Sequence, residues 1–129
     1  MHSNQAAKEE TAFNPDDIRA QRTEVGRDTL ITVTGGAAHI GAVSTAYWTE
    51  SGIEVRTTTV PGHKEHLLSE PAARRAADML NRTVTVVMGI HYDAISAEEI
   101  AETSSVAMRR LEEALSDRSN AERQAEKII

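Results

Sequence analysis

Apolar and polar residues change period near the middle of the chain. In the first half the pattern is that of strands. Thr29 to Thr34 (TLITVT) is β-branched and ends at Gly35-Gly36. Ile40 to Thr49 and Ile53 to Val60 flank Glu50-Ser51-Gly52, a short loop whose glycine suits the positive φ of a hairpin. Ile18 to Val25, followed by Gly26-Arg27-Asp28, is a weaker strand that pairs with Thr29 to Thr34 in the same way. In the second half Ala72, Ala73, Ala76, Ala77 and Leu80 recur at helical spacing. Pro71 suits the first turn of that helix and Ser69 its cap. Thr83 to Ile90 (TVTVVMGI) is nearly all apolar and predicts an inner strand. Ser96 and Glu99 then form a capping box ahead of an apolar stripe at Ile100, Thr103, Ala107 and Leu111. The order is ββββαβα. It predicts an α/β (α+β) domain, with a single mainly antiparallel sheet and two helices on one face. Residues 17–115 carry this domain, residues 1–16 read as a flexible arm, and residues 116–129 as a helical extension or loose tail.

Composition narrows the core. With one Phe, two Tyr and one Trp in 129 residues, it must be built from Ala, Val, Ile, Leu and Met, with Met79, Met88 and Met108 as filler. Tyr47 and Trp48 are adjacent, so on a strand they face opposite ways and one is exposed or in an interface. The chain has no cysteine, hence no thiolate chemistry and no cysteine-ligated metal. A net charge of −6 argues against a nucleic-acid partner. The acid excess lies in the arm and the last helix, whereas Ile18 to Ser96 is balanced and can meet an anion. No apolar run approaches the roughly 18–20 residues of a membrane span, and no signal-peptide pattern opens the chain. A cytoplasmic protein without membrane partners is expected.

The candidate chemistry lies in the histidines. His2 is in the arm; the other four fall in three places, each beside a glycine at a strand end. Gly35-Gly36-Ala-Ala-His39-Ile-Gly41 lies between two strands. Pro61-Gly62-His63-Lys64-Glu65-His66 leads into the first helix, and Gly89-Ile90-His91-Tyr92-Asp93 leads into the second. Such ends expose backbone N–H groups, and a helix N-terminus favours an anion. If they meet at one sheet edge, they form a glycine-lined, histidine-rich site. Arg56 and Lys64 add positive charge for a phosphate, although neither a Walker nor a Rossmann glycine pattern is present. Gly35-Gly36 as a plain turn and His39 as a structural histidine are the simpler readings. Glu65 and Asp93 are metal-ligand types, but no histidine pair has helical HxxxH spacing or a zinc framework, so no metal ligand is assigned. His63 and His66 face together only on a helix. Ser44, Ser51 and Ser69 sit on no GxSxG elbow.

At these three motifs the chain resembles the LpdD-type small proteins, long associated with gallate decarboxylase and regarded as prenylated-flavin chaperones. The likeness rests on Val33-Thr34-Gly35-Gly36 with His39-Ile40-Gly41-Ala42-Val43, then Val60-Pro61-Gly62-His63-Lys64-Glu65, then Gly89-Ile90-His91-Tyr92-Asp93. It covers about Ile18 to Leu115. The resemblance implies a fold like the eukaryotic proteasome-assembly chaperones and a homodimer. It also implies a non-enzymatic role: binding reduced prenylated FMN and delivering it to a UbiD-type decarboxylase, with a flavin prenyltransferase as a further partner. Joined to the argument from the residues, it gives a cofactor-binding set of Gly35, Gly36, His39, Arg56, Gly62, His63, Lys64 and His91, with no catalytic residue. The alternatives are a metal-dependent lyase or hydrolase using the histidine cluster with Asp93 or Glu65, and an assembly chaperone that binds protein alone. The long arm, the C-terminal extension and Pro71 depart from the family pattern.

Overall fold

A computed structural model describes residues 10–117. Five strands form one mixed sheet: β1 (Arg19–Val25), β2 (Asp28–Gly36), β3 (Ala42–Thr49), β4 (Gly52–Thr59) and β5 (Val84–His91), in the spatial order β1-β2-β5-β3-β4. Two hairpins flank the centre. Val25 pairs with Asp28 across Gly26-Arg27, and Thr49 pairs with Gly52 across Glu50-Ser51. The apolar β5 enters between the hairpins, parallel to β2 and antiparallel to β3. The ββββαβα order and the inner position of the TVTVVMGI strand are therefore as the sequence pattern predicts.

Both helices cover the same face. The helix α1 (His66–Leu80) lies over β3, β4 and β5, while α2 (Ala97–Leu115) lies over β1 and β2. Alternation supplies the sheet side of the core, with Ile31, Val33, Ala46, Val84, Val86 and Met88 all without solvent exposure. Ala72, Ala73, Ala76 and Ala77 are also fully buried, and their small side chains let α1 sit close to the strands. Val106, Ala107, Leu111 and Leu115 form the buried stripe of α2. Each large apolar side chain buried in this layer contributes about 1.5–3 kcal/mol.

Three local details differ from the sequence reading. First, α1 begins at His66, so Pro71 is its sixth residue and Ser69 is not a cap. Ser69 is buried and hydrogen-bonds the Ser44 hydroxyl at 2.8 Å, which in turn meets Thr57 Oγ1 at 2.8 Å. Pro71 is exposed, as is Leu67, the residue to whose carbonyl it can offer no N–H. Second, Met79 and Ile100 are 43% and 53% exposed, because the helix phase that buries the alanines of α1 and Leu111 of α2 turns them outward. Third, β2 continues through Gly35 and Gly36 instead of stopping at Thr34.

A buried ionic group ties α2 to the sheet. Arg22 and Glu24, both nearly inaccessible, pair at 2.6 Å, and Arg82 joins Glu24 at 2.7 Å. Arg22 also donates to the carbonyls of Ala114 and Leu115 at the end of α2. Among the described residues, no helix covers the sheet's other face, and none is long and apolar enough to cross a membrane.

Candidate functional site

The topology brings the three glycine–histidine motifs to one edge of the sheet. Parallel pairing sets the ends of β2 and β5 side by side, with Gly36 opposite His91. The antiparallel strand β3 begins at that edge and β4 finishes there, with Ala42 opposite both Met88 and Thr59. The loop after β4 then turns into α1 within a few residues.

An open cleft of about 270 Å³ lies here, lined by Gly62, His63, Lys64, Glu65 and His91. Its apolar lining is Leu68 from α1 with Met88 and Ile90 from β5, and Thr103 closes it from α2. A polar rim over an apolar floor is the usual arrangement of a small-molecule site.

Behind the rim, Glu65 links two histidines. It holds the N-cap position of α1 yet makes no capping hydrogen bond. Its carboxylate turns instead toward His39, whose Nε2 is 2.6 Å from Oε2, and toward His63, whose Nδ1 is 3.6 Å from Oε1. The two imidazole rings lie 4.6 Å apart. Two glycines make room for this group. A Cβ on Gly41 would collide with the Glu65 carboxylate, and one on Gly89 with the His39 carbonyl oxygen. Gly41, Gly89 and Glu65 are thus structural parts of the site that the cofactor-binding set omits. The sequence signal for Glu65 is its place between His63 and His66; for the glycines it is their neighbouring histidines.

The other motif residues separate. His91 reaches the cleft and pairs with Asp93 through Nε2 at 2.8 Å. Asp93 also accepts the Thr11 N–H at 2.7 Å, and its own N–H donates to the Thr11 carbonyl. Phe13 stands edge-on to Tyr92 at 5.3 Å, so the chain around Thr11 and Phe13 packs beside this motif. His66 opens α1, and its Nδ1 is buried without a hydrogen-bond partner. Gly35 and Gly36 do not line the cleft. They border a separate hollow with Asp17, Arg19 and Thr34, and the Gly36 N–H is taken by Asp17 Oδ1 at 3.1 Å. Arg56 is also elsewhere: it pairs across from Thr45 on the helix-free face and donates to the Tyr47 hydroxyl at 2.8 Å. Strand parity, invisible while the register is unknown, decides that placement.

The chain is thus a small α+β domain with a histidine-rimmed cleft at one sheet edge. The chain matches the prenylated flavin chaperone LpdD-like domain over residues 13–119 and belongs to that family. Protein LpdD of Lactiplantibacillus plantarum (strain WCFS1) is 36% identical to it over 80 residues, covering 60% of this chain and 59% of the relative. The chain thus spans about three-fifths of that relative's length.

Proposed function

We propose that this chain binds reduced prenylated FMN in the cleft and hands it to a UbiD-type decarboxylase, acting in the cytoplasm as a carrier with no reaction of its own. The observation that carries the reading is the convergence of the Gly62–Glu65 loop and His91 over an apolar floor, in a chain of this family. Lys64 neutralises the phosphate, and the Gly62 loop offers backbone donors. His63 and His91 hydrogen-bond the polar parts of the ligand, with His39 supporting His63 from behind. Gly35, Gly36 and Arg56 are left out of this site, since the Gly36 N–H is committed to Asp17 and Arg56 faces away from the cleft.

At about 270 Å³ the cleft falls just below the roughly 300–1,000 Å³ of ordinary small-molecule pockets. It encloses part of a flavin nucleotide and leaves the rest for a second surface. Exposed Ile40, Val60 and Leu67 flank the His39 and His63 loops and give that surface apolar footing. A half-enclosed ligand also suits hand-over, which needs a usable off-rate. The flavin prenyltransferase that makes the cofactor is the natural donor.

A homodimer completes the reading. The helix-free sheet face sets Val43 beside Val87, with Leu30, Thr32, Thr45 and Thr85 around them in register. This central band is uncharged in a chain of net charge −6, so it is where two copies approach without repulsion.

The test is anaerobic titration with reduced prenylated FMN, comparing wild type with Lys64→Ala and His63→Ala. Each substitution is expected to weaken binding about tenfold, the loss of one charge-assisted contact. Unchanged affinity in both variants contradicts the site.

A further inference from the structure

We infer that His39, His63 and Glu65 form a binding site for a divalent metal ion of the zinc type at the rim of the cleft. One ligand atom from each lies within 4.8 Å of the others. Two imidazoles and one carboxylate are a donor set for such an ion. Sequence spacing conceals it, because His39 arrives from the loop before β3 and the other two from the loop before α1.

The hydrogen bonding of His39 is the second observation. Its Nδ1 lies 3.0 Å from the Ala37 carbonyl oxygen, which can only accept, so Nδ1 carries the hydrogen. A carbonyl holding the far nitrogen is the outer-shell arrangement that orients a metal-binding histidine. Nε2 is then the free nitrogen. It is buried, without an aligned hydrogen bond, although Glu65 Oε2 is only 2.6 Å away. In a neutral ring the Nε2 lone pair meets no donor, and a cation on its axis engages that nitrogen and the adjacent carboxylate together. A proton on Nε2 is the competing explanation, but the off-axis geometry gives it a poor hydrogen bond.

The distances fit a modest adjustment. With zinc–nitrogen and zinc–oxygen bonds of about 2.0–2.2 Å, tetrahedral ligands stand about 3.3–3.6 Å apart. His39 Nε2 stands 2.6 Å from Oε2 of Glu65 and His63 Nδ1 3.6 Å from its Oε1, so each histidine is close to that spacing from a different oxygen of the carboxylate. His63, the most exposed of the three, has room to rotate inward. Glu65 is already fixed over Gly41, where no larger residue fits.

Three protein ligands leave a fourth position open. His63 and Glu65 both line the cleft, so that position faces it, beside Lys64. An anionic oxygen, such as that of a phosphate group, is the ligand such a position takes. That last step deepens the flavin reading and rests on it; the metal site itself does not.

The experiment uses the untagged full-length chain, stripped with chelator and titrated with Co²⁺, then with Zn²⁺ in competition. Tetrahedral cobalt is visible by its d–d absorption. One ion per chain is expected, displaced by Zn²⁺ and raising the melting temperature of the wild type. His39→Ala, His63→Ala and Glu65→Gln should each weaken binding at least about tenfold, while His91→Ala leaves it unchanged. Absence of uptake by the wild type, or equal uptake in all three ligand variants, overturns the site. The wild-type melting shift keeps the test decisive should a variant not fold. Inorganic phosphate added to the cobalt form is expected to shift the absorption; no shift overturns the open anion position. Because no step uses flavin, failure of flavin binding leaves the cobalt result standing, and the reverse holds as well.

Discussion

The Tyr92 hydroxyl donates its one hydrogen toward the Asp17 carboxylate, with the Asn14 carbonyl oxygen also within hydrogen-bonding distance. Burial pushes its pKa up, and the hydrogen bond to Asp17 and that residue's charge push it further in the same direction. An unfolded tyrosine titrates near pH 10. Below that pH both states hold the proton and the contribution is present in full. As pH rises past about 10, the unfolded chain releases a proton that the folded chain keeps, so stability falls. Denaturant unfolding of wild type and Tyr92→Phe at pH 8 and at pH 10.5–11 checks this. Wild type should lose more stability across that interval than the variant; equal losses would contradict the linkage. Residue-scale facts of this kind are only partly legible in the sequence. The Gly35-Gly36 pair announces a special backbone, but that its neighbour is Asp17 depends on the turn at Pro15–Asp17, which no period reveals.

Helix α1 shows where pattern reading succeeds and where it slips. Its alanine stripe fixes the buried face, and Ala72 to Ala77 lie where the spacing puts them. Its start is misread because proline and serine are strong first-turn signals, while the actual start at His66 has no side-chain cap at all. Glu65 would ordinarily cap or complement the helix end, but it is drawn to the histidines, so local preference gives way to the site. Pro71 remains inside the helix as a cost. Pro71→Ala is expected to stabilise the protein by about 1–3 kcal/mol by restoring a bond to the Leu67 carbonyl. Thermal and denaturant unfolding measure it, and a destabilised variant would mean that the proline ring itself is packed. By contrast, α2 is readable from its capping box, with Ser96 and Glu99 bonded reciprocally at 3.1 and 2.9 Å.

At the scale of the molecule, the element order follows from the sequence, because hairpin turns and an apolar inner strand leave few ways to arrange the sheet, whereas the meeting of the three motifs is there only a condition. The face on which Arg56 lies does not follow, since it needs the β3–β4 register. Nor does the joining of His39 to His63 and Glu65, which lie more than twenty residues apart in the chain and meet only through the fold. The helix-free face bears on assembly. If two copies pair through it, Val43→Asp should shift the mass measured by light scattering from dimer to monomer while the helical circular dichroism is kept. A wild type that runs as a monomer, or a variant that stays dimeric, would rule out that interface.

The proposed carrier role requires this cleft to hold a reduced prenylated flavin. Its most direct test is anaerobic calorimetric titration of the wild-type chain with reduced prenylated FMN. Saturable binding of one flavin per chain is predicted. Heat that never saturates, or saturation equally well by unprenylated FMN, would contradict it.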